Sequence, residues 1–380
     1  MAPFFLCCRD ALAVVGWLAT WMYSGHAGGA VAPASSRAAD VVWHVVGEGR
    51  GTPAVYGGTA FFLSKHHALV AIDISSGRVA WRRPTGGPGP TTAGTTVLAT
   101  PSAVIAGDGG IAAFAHDGRE TWRFEDDAGS AGTYLGGLAA GMVLAGSSAG
   151  RLWALDAASG DVRWVVDVVR NGRATVFAPV VADAVVYAAF TAFDDLRVGG
   201  IVAVDVSTGR VRWRRALPRT RTGGPRGMAG GPLAVGAFVF AAGHDGTIHA
   251  IDRTSGEWRW SFPPDANGGD RHELRMLVVA GRHLIAGSLT GLVTAYDLAT
   301  RQERWRWAPM SASIAFGMAT DGRTVYVPYL SGCLVALDAE DGVERWRTRE
   351  DTVGFSWKPL VVSGRVLAAS SGAGFFAFRL

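Results

Sequence analysis

Ala71-Ile72-Asp73-Ile74-Ser75-Ser76-Gly77-Arg78-Val79-Ala80-Trp81 is the stretch that decides the fold, because it returns along most of the chain. It recurs as Ala154 to Trp164, Ala203 to Trp213, Ala250 to Trp260 and Ala336 to Trp346. Two altered copies complete the series: Ala295 to Trp305 carries Arg301 in place of the glycine, and Ala113 to Trp122 is one residue short and lacks the aspartate. From Trp81 through Trp122, Trp164, Trp213, Trp260 and Trp305 to Trp346 the tryptophans are spaced by 41, 42, 49, 47, 45 and 41 residues. A period of this size signals a solenoid or a propeller. Short apolar runs such as Leu233–Val235, Phe238–Ala241, Thr247–Ile251 and Trp258–Phe262 supply four strands per period, which selects the propeller blade.

The repeat explains itself physically. In Asp205-Val206-Ser207-Thr208-Gly209 the carboxylate can accept turn N–H groups and the glycine can take positive φ, so the segment reads as a hairpin between third and fourth strands. Each tryptophan then falls on the outermost strand, where its ring can cover the neighbouring blade; Trp43, Trp81, Trp122, Trp164, Trp213, Trp260, Trp305 and Trp346 are the structural set. Burying about 150–250 Å² per ring corresponds to roughly 4–6 kcal/mol as an upper bound.

Trp43 sits in Asp40-Val41-Val42-Trp43-His44-Val45-Val46 with no three strands before it, whereas Leu360–Val362, Arg365–Ala369 and Phe375–Phe378 are three strands with no fourth after them. The two partial units complete each other. The expected architecture is therefore an all-β, eight-bladed β-propeller of four-stranded antiparallel blades over residues 40–380, its last blade closed by the N-terminal strand, which also removes open sheet edges. Residues 1–39 form a separate leader: the apolar run Ala11–Tyr23 is too short for a bilayer span of about 20 residues and is followed by the small-residue stretch Ser24–Ala34, as in a secretory signal cleaved near Ala27 or Ala32. A secreted or periplasmic location and no transmembrane anchor are expected.

With 36 Lys plus Arg against 32 Asp plus Glu, the formal charge of +4 gives no electrostatic case for nucleic acid. Cys7 and Cys8 lie in the leader with no lipobox-like cysteine after the apolar run, and Cys333 reads as a small buried hydrophobe. There is no Gly-x-Ser-x-Gly elbow, phosphate loop or His-Glu-x-x-His, and His66, His67, His116 and His244 read as turn residues.

The recurring Ala-x-Asp-x-x-x-Gly-x-x-x-Trp resembles the repeat of the pyrroloquinoline-quinone-type (BamB-like, quinoprotein-type) propellers over about nine tenths of the sequence. The resemblance is specific for fold, because that superfamily contains both quinoprotein dehydrogenases and non-catalytic members. It implies, for an enzyme, a quinone between a tryptophan and an adjacent-cysteine disulfide, beside a calcium held by carboxylate and amide groups. Here no adjacent cysteine pair lies in the ring and the only asparagines are Asn171 and Asn267, so neither the quinone nor calcium is expected, nor any other metal. The expected role is non-catalytic binding of a protein partner or small anionic ligand by a monomeric propeller. The alternatives are an enzyme with a channel site, of specialised metabolism or quinone-dependent oxidation, and an extracellular sensor module.

Ligands of propellers usually bind at the face shared by the loops entering the innermost strands. In this chain those loops carry Arg173, Arg226, His272, Glu273, Arg275, Phe316, Trp357 and Lys358. Arg173, Arg226, Arg275, Phe316, Trp357 and Lys358 are the candidate ligand-binding set, and His272, Glu273, Arg275 and Lys358 are the candidates for catalysis. The bland reading pairs the loop arginines with Asp126, Asp127, Asp194, Asp195, Asp265 or Asp270 as surface charge.

Overall fold

The structure, a computed structural model, describes residues 37–380 apart from 48, 88–95, 127–131, 170–173, 193–197, 218–226, 245, 263–273, 309–313, 315–316, 331, 349–353, 356 and 371. Regular structure among the described residues is all β. The first unit shows the plan: Gly49–Tyr56, Thr59–Ser64, Ala68–Asp73 and Val79–Pro84 pair antiparallel in chain order. Units of the same form follow over 96–124, 133–167, 174–216, 233–262, 274–307 and 319–347. Within a unit the two middle strands are apolar on both faces, as in Met142–Ser147, which is buried throughout. Such strands need a neighbour on each side, and the outer strands, exposed at alternate residues as in Val162–Asp167, do not.

The innermost strands carry the chain around a ring. Gly49–Tyr56 touches Thr96–Ala99, which touches Thr133–Ala139; contact then passes through Val180–Ala182, Leu233–Val235, Leu274–Ala280 and Ala319–Thr320 to Leu360–Val362, which touches Gly49–Tyr56 again. One parallel pairing, Thr52 with Thr96, joins the first and second units into a common sheet.

Closure uses both ends of the chain. Leu360–Val362, Arg365–Ser370 and Gly374–Arg379 form three strands, and Val41–Val46 adds antiparallel to the last of them, with Trp43 opposite Ala377 and Val45 opposite Phe375. Paired structure starts earlier than the sequence reading placed it. Arg37–Ala38 lies parallel to Glu344–Arg347, with Arg37 opposite Trp346, and the Ala39 N–H donates to the Arg347 carbonyl at 2.9 Å. Arg37 and Ala38, on the leader side of the boundary expected between residues 39 and 40, are thus paired with the ring. A two-residue pairing leaves no pattern of apolar alternation from which it could be read.

The repeated aspartate and glycine have separate tasks. Asp73 Oδ1 accepts the hydroxyls of Ser75 and Ser76 and their backbone N–H groups, and these bonds to the ionised form lower its pKa to about 2. Asp156 is lowered to about 2 by Arg163 and by the N–H groups of Ala158 and Ser159, and Asp252 to about 2 by the Ser255 N–H and by Arg259. Gly77, at φ 73°, closes the turn through its N–H to the Asp73 carbonyl at 2.8 Å. It also makes room: a Cβ there would stand 2.7 Å from Cγ of Trp43, and the glycines at 118, 160, 209, 256 and 342 face Trp81, Trp122, Trp164, Trp213 and Trp305 at 2.5–2.9 Å.

Those six indoles each donate Nε1–H to a carbonyl of the next unit's turn at 2.8–3.1 Å: Ile74, His116, Ala157, Val206, Arg253 and Ala339. The altered copies fit the same scheme. Arg301 takes the glycine's positive φ, at 62°, and lays its guanidinium 4.9 Å from the Trp260 ring centre. The short copy makes a tighter turn, with Gly118 N–H bonded to the Ala115 carbonyl instead of to an aspartate's. Cores lie between units: Trp43, Phe375 and Leu367 of the last unit pack with Phe62, Val70 and Ile72 of the first. Cys333 is buried beside Val335 and Leu337 in another such core.

Candidate functional site

Of the loop-face residues read from sequence, Arg173, Arg226, His272, Glu273 and Phe316 lie outside the described residues. Arg275 belongs to the strand Leu274–Ala280, where the pairing register shifts between Leu274 and Met276; the expected position just before that strand is off by one or two residues. Trp357 is buried, 8% exposed, in the core between last and first units. Lys358 is the one whose surroundings are open to description. Its side chain is solvent-exposed, yet protein crowded around the ammonium lowers its pKa from the usual lysine value. Gly317 passes so close that a Cβ there would lie 2.8 Å from that of Lys358.

A second cluster forms on the same face, at the seam between first and second units. Arg50, second residue of the first unit's innermost strand, reaches Asp108 at the end of the second unit's second strand, Nη1 to Oδ1 at 3.2 Å. The two side chains are 9% and 2% exposed, so this is a desolvated ion pair. Burial lowers the guanidinium's pKa, and the Asp108 charge opposes that shift. Arg50 Nη2 is buried with no hydrogen-bond partner among the described residues.

The other Asp108 oxygen, Oδ2, stands 2.9 Å from His67 Nδ1 and 2.6 Å from Thr85 Oγ1. A carboxylate only accepts, so Nδ1 is the nitrogen that donates to it. The backbone fixes the imidazole as well. His67 has φ 53°, and its carbonyl accepts the Thr85 N–H at 2.7 Å. Gly87 is the close neighbour: a Cβ there would meet His67 Nδ1 at 2.8 Å and Asp108 Oδ2 at 2.9 Å. On the outer side of residues 84–87, Arg123 Nη1 donates to the Thr85 carbonyl, and a groove of about 440 Å³ runs between the outermost strands of the two units.

Sequence reading had His67 as a turn residue and passed over Arg50, Thr85 and Asp108. A signal was present in the repeat itself. The second strands of the first, third, sixth and last units end in Ser64, Ser147, Ser288 and Ser370, and only the second unit's ends in an acid. Arg151, which opens a strand and is not one of the loop arginines, pairs through Nη1 with the buried Asp126 Oδ1 at 3.1 Å.

A family model described as outer membrane protein assembly factor BamB matches residues 27–189, 136–306 and 289–379. The chain belongs to that family. No curated protein matches its sequence. Among solved structures, BamB of Moraxella catarrhalis is 19% identical, with 90% of this chain and 100% of that one covered at a TM-score of 0.71. A quinohemoprotein alcohol dehydrogenase of Pseudomonas putida is 15% identical, covering 91% of this chain and 76% of its own, TM-score 0.67. The computationally designed protein Ika8 is 15% identical, covering 93% and 100%, TM-score 0.69. These likenesses establish a β-propeller of BamB-like repeats.

Among the described residues the one cysteine, Cys333, is 2% exposed inside a core, and no three His, Cys, Asp or Glu side chains form a group that could hold a metal ion. No helix among the described residues is long and apolar enough to cross a membrane.

Proposed function

We propose that this chain is an exported, non-catalytic propeller that binds a protein partner or small anionic ligand through the face bearing Lys358. The observation that carries the reading is Lys358 itself. It is exposed, it has no acidic partner among the described residues, and protein crowded around its ammonium lowers its pKa. An anion arriving there meets a cation already stripped of much of its water, where attraction is stronger than at an open surface. Family membership supports the role, since the family's named member is an assembly factor. The apolar run Ala11–Tyr23 and the small-residue stretch after it support export.

Citrate, titrated calorimetrically at low salt, provides the test. Lys358→Ala is expected to weaken citrate binding at least tenfold, about 1.4 kcal/mol. Lys358→Arg, which keeps the charge, is expected to retain most of it. Citrate affinity unchanged by Lys358→Ala removes the proposal.

A further inference from the structure

We infer that the groove between the outermost strands of the first and second units is a docking surface for an extended, acidic segment of a protein partner. This deepens the binding role above by naming a separate surface and its occupant. The groove is shallow and open to solvent, about 440 Å³ in volume, and is lined by Arg83, Gly86, Phe114, Arg119, Glu120 and Arg123 among others. Three guanidinium groups face one carboxylate.

Two of the arginines are already held in place. Arg83 donates Nε–H to the Gly118 carbonyl at 3.1 Å and Nη1–H to that of Arg82 at 3.0 Å. Arg123 is gripped by both Glu120 oxygens, at 3.1 and 2.8 Å, and by the Thr85 carbonyl. Arg83 is thus fixed by neutral carbonyls, so its charge is oriented without being cancelled. Arg119 is exposed, and its guanidinium has no partner among the described residues. An incoming carboxylate meets a guanidinium whose ordering cost is already met and a second that can close over it.

Shape selects an extended occupant. The lining comes from the outer strands of both units and from the turns at Gly86 and Gly118. A five-residue strand is about 17 Å long, so a segment laid along such strands is an extended peptide of similar size rather than one small anion. Charge selects acidic side chains over apolar ones, because Phe114, the aromatic residue of the lining, is itself buried in the core.

The experiment uses the full chain and a fluorescein-labelled hexaglutamate peptide followed by anisotropy, with inorganic phosphate as competitor. Arg83→Glu/Arg119→Glu is expected to weaken peptide binding at least tenfold, Arg163→Ala, at an exposed arginine on the third unit's outer strand, to leave it unchanged, and millimolar phosphate to compete poorly. Because both substituted side chains are on the surface, the melting temperature of the double variant is expected to match the parent; should it fall, Arg119→Ala alone is read in its place and is expected to weaken binding measurably. The inference is overturned by the absence of peptide binding, by binding that survives the groove substitutions, or by phosphate binding as tightly as the peptide. Peptide binding lost through Lys358→Ala alone would place the partner at the loop face and reject the groove while leaving the proposed function standing.

Discussion

Removing residues 40–46 should lower the stability of the whole ring, not fray one edge of it. The deletion takes away Trp43, whose indole is 8% exposed, packs in the core between last and first units, and donates to the Ile74 carbonyl at 2.8 Å. It also bares the backbone of Gly374–Arg379, which pairs with Val41–Val46. Loss of one buried tryptophan costs about 3–5 kcal/mol, and a domain has about 5–15 in hand. Thermal unfolding followed by tryptophan fluorescence should therefore show either a midpoint depressed by several degrees or no folded protein. In the latter case Trp43→Phe, which keeps one apolar ring and loses the N–H and part of the indole's packing area, is expected to fold with a smaller depression. A deletion variant that melts with the parent would mean that the last unit stands without its N-terminal strand.

Asp108→Ala should rank with that deletion, although no core apolar side chain is touched. It strands Arg50 in the seam with its charge uncompensated and releases His67 Nδ1 and Thr85 Oγ1 together. Breaking a buried pair by removing one partner costs about 3–5 kcal/mol, whereas replacing both by apolar groups is close to neutral. Urea denaturation of Asp108→Ala, Arg50→Met and the double variant reads this directly. The double variant is expected to be more stable than Asp108→Ala alone. Strict additivity would show that the two charges do not depend on one another.

How much of this was legible in the chain depended on the range of each constraint. The Asp–Gly turn and its tryptophan lie within eleven residues, so repetition exposes them, and the structure adds the reason that the glycine is needed twice: for positive φ and for the indole of the preceding unit. Even the exception at 301 makes sense in those terms, since Arg301 accepts the strained φ and covers Trp260 with its own side chain. The pairing of Val41–Val46 with Gly374–Arg379 was legible because each end lacks what the other supplies. Arg37–Ala38 was not, because two residues carry no period. Arg50, His67, Thr85 and Asp108 belong to two units and meet across as many as 58 residues of chain. No linear motif records such a meeting; comparison of equivalent positions, where an aspartate replaces serine, was the available clue. The candidate mouth was the least readable, because its charges sit on loops whose direction the strand period does not govern.

The most direct measurement of the central claim is native-state hydrogen exchange across the shared last unit. If the N-terminal strand is an integral member of that sheet, amides of residues 43–46 exchange at the same rate, and with the same denaturant dependence, as those of residues 374–378, both near the global unfolding limit. If residues 43–46 exchange freely while 374–378 remain protected, the ring does not depend on its first strand and the account of its closure is contradicted.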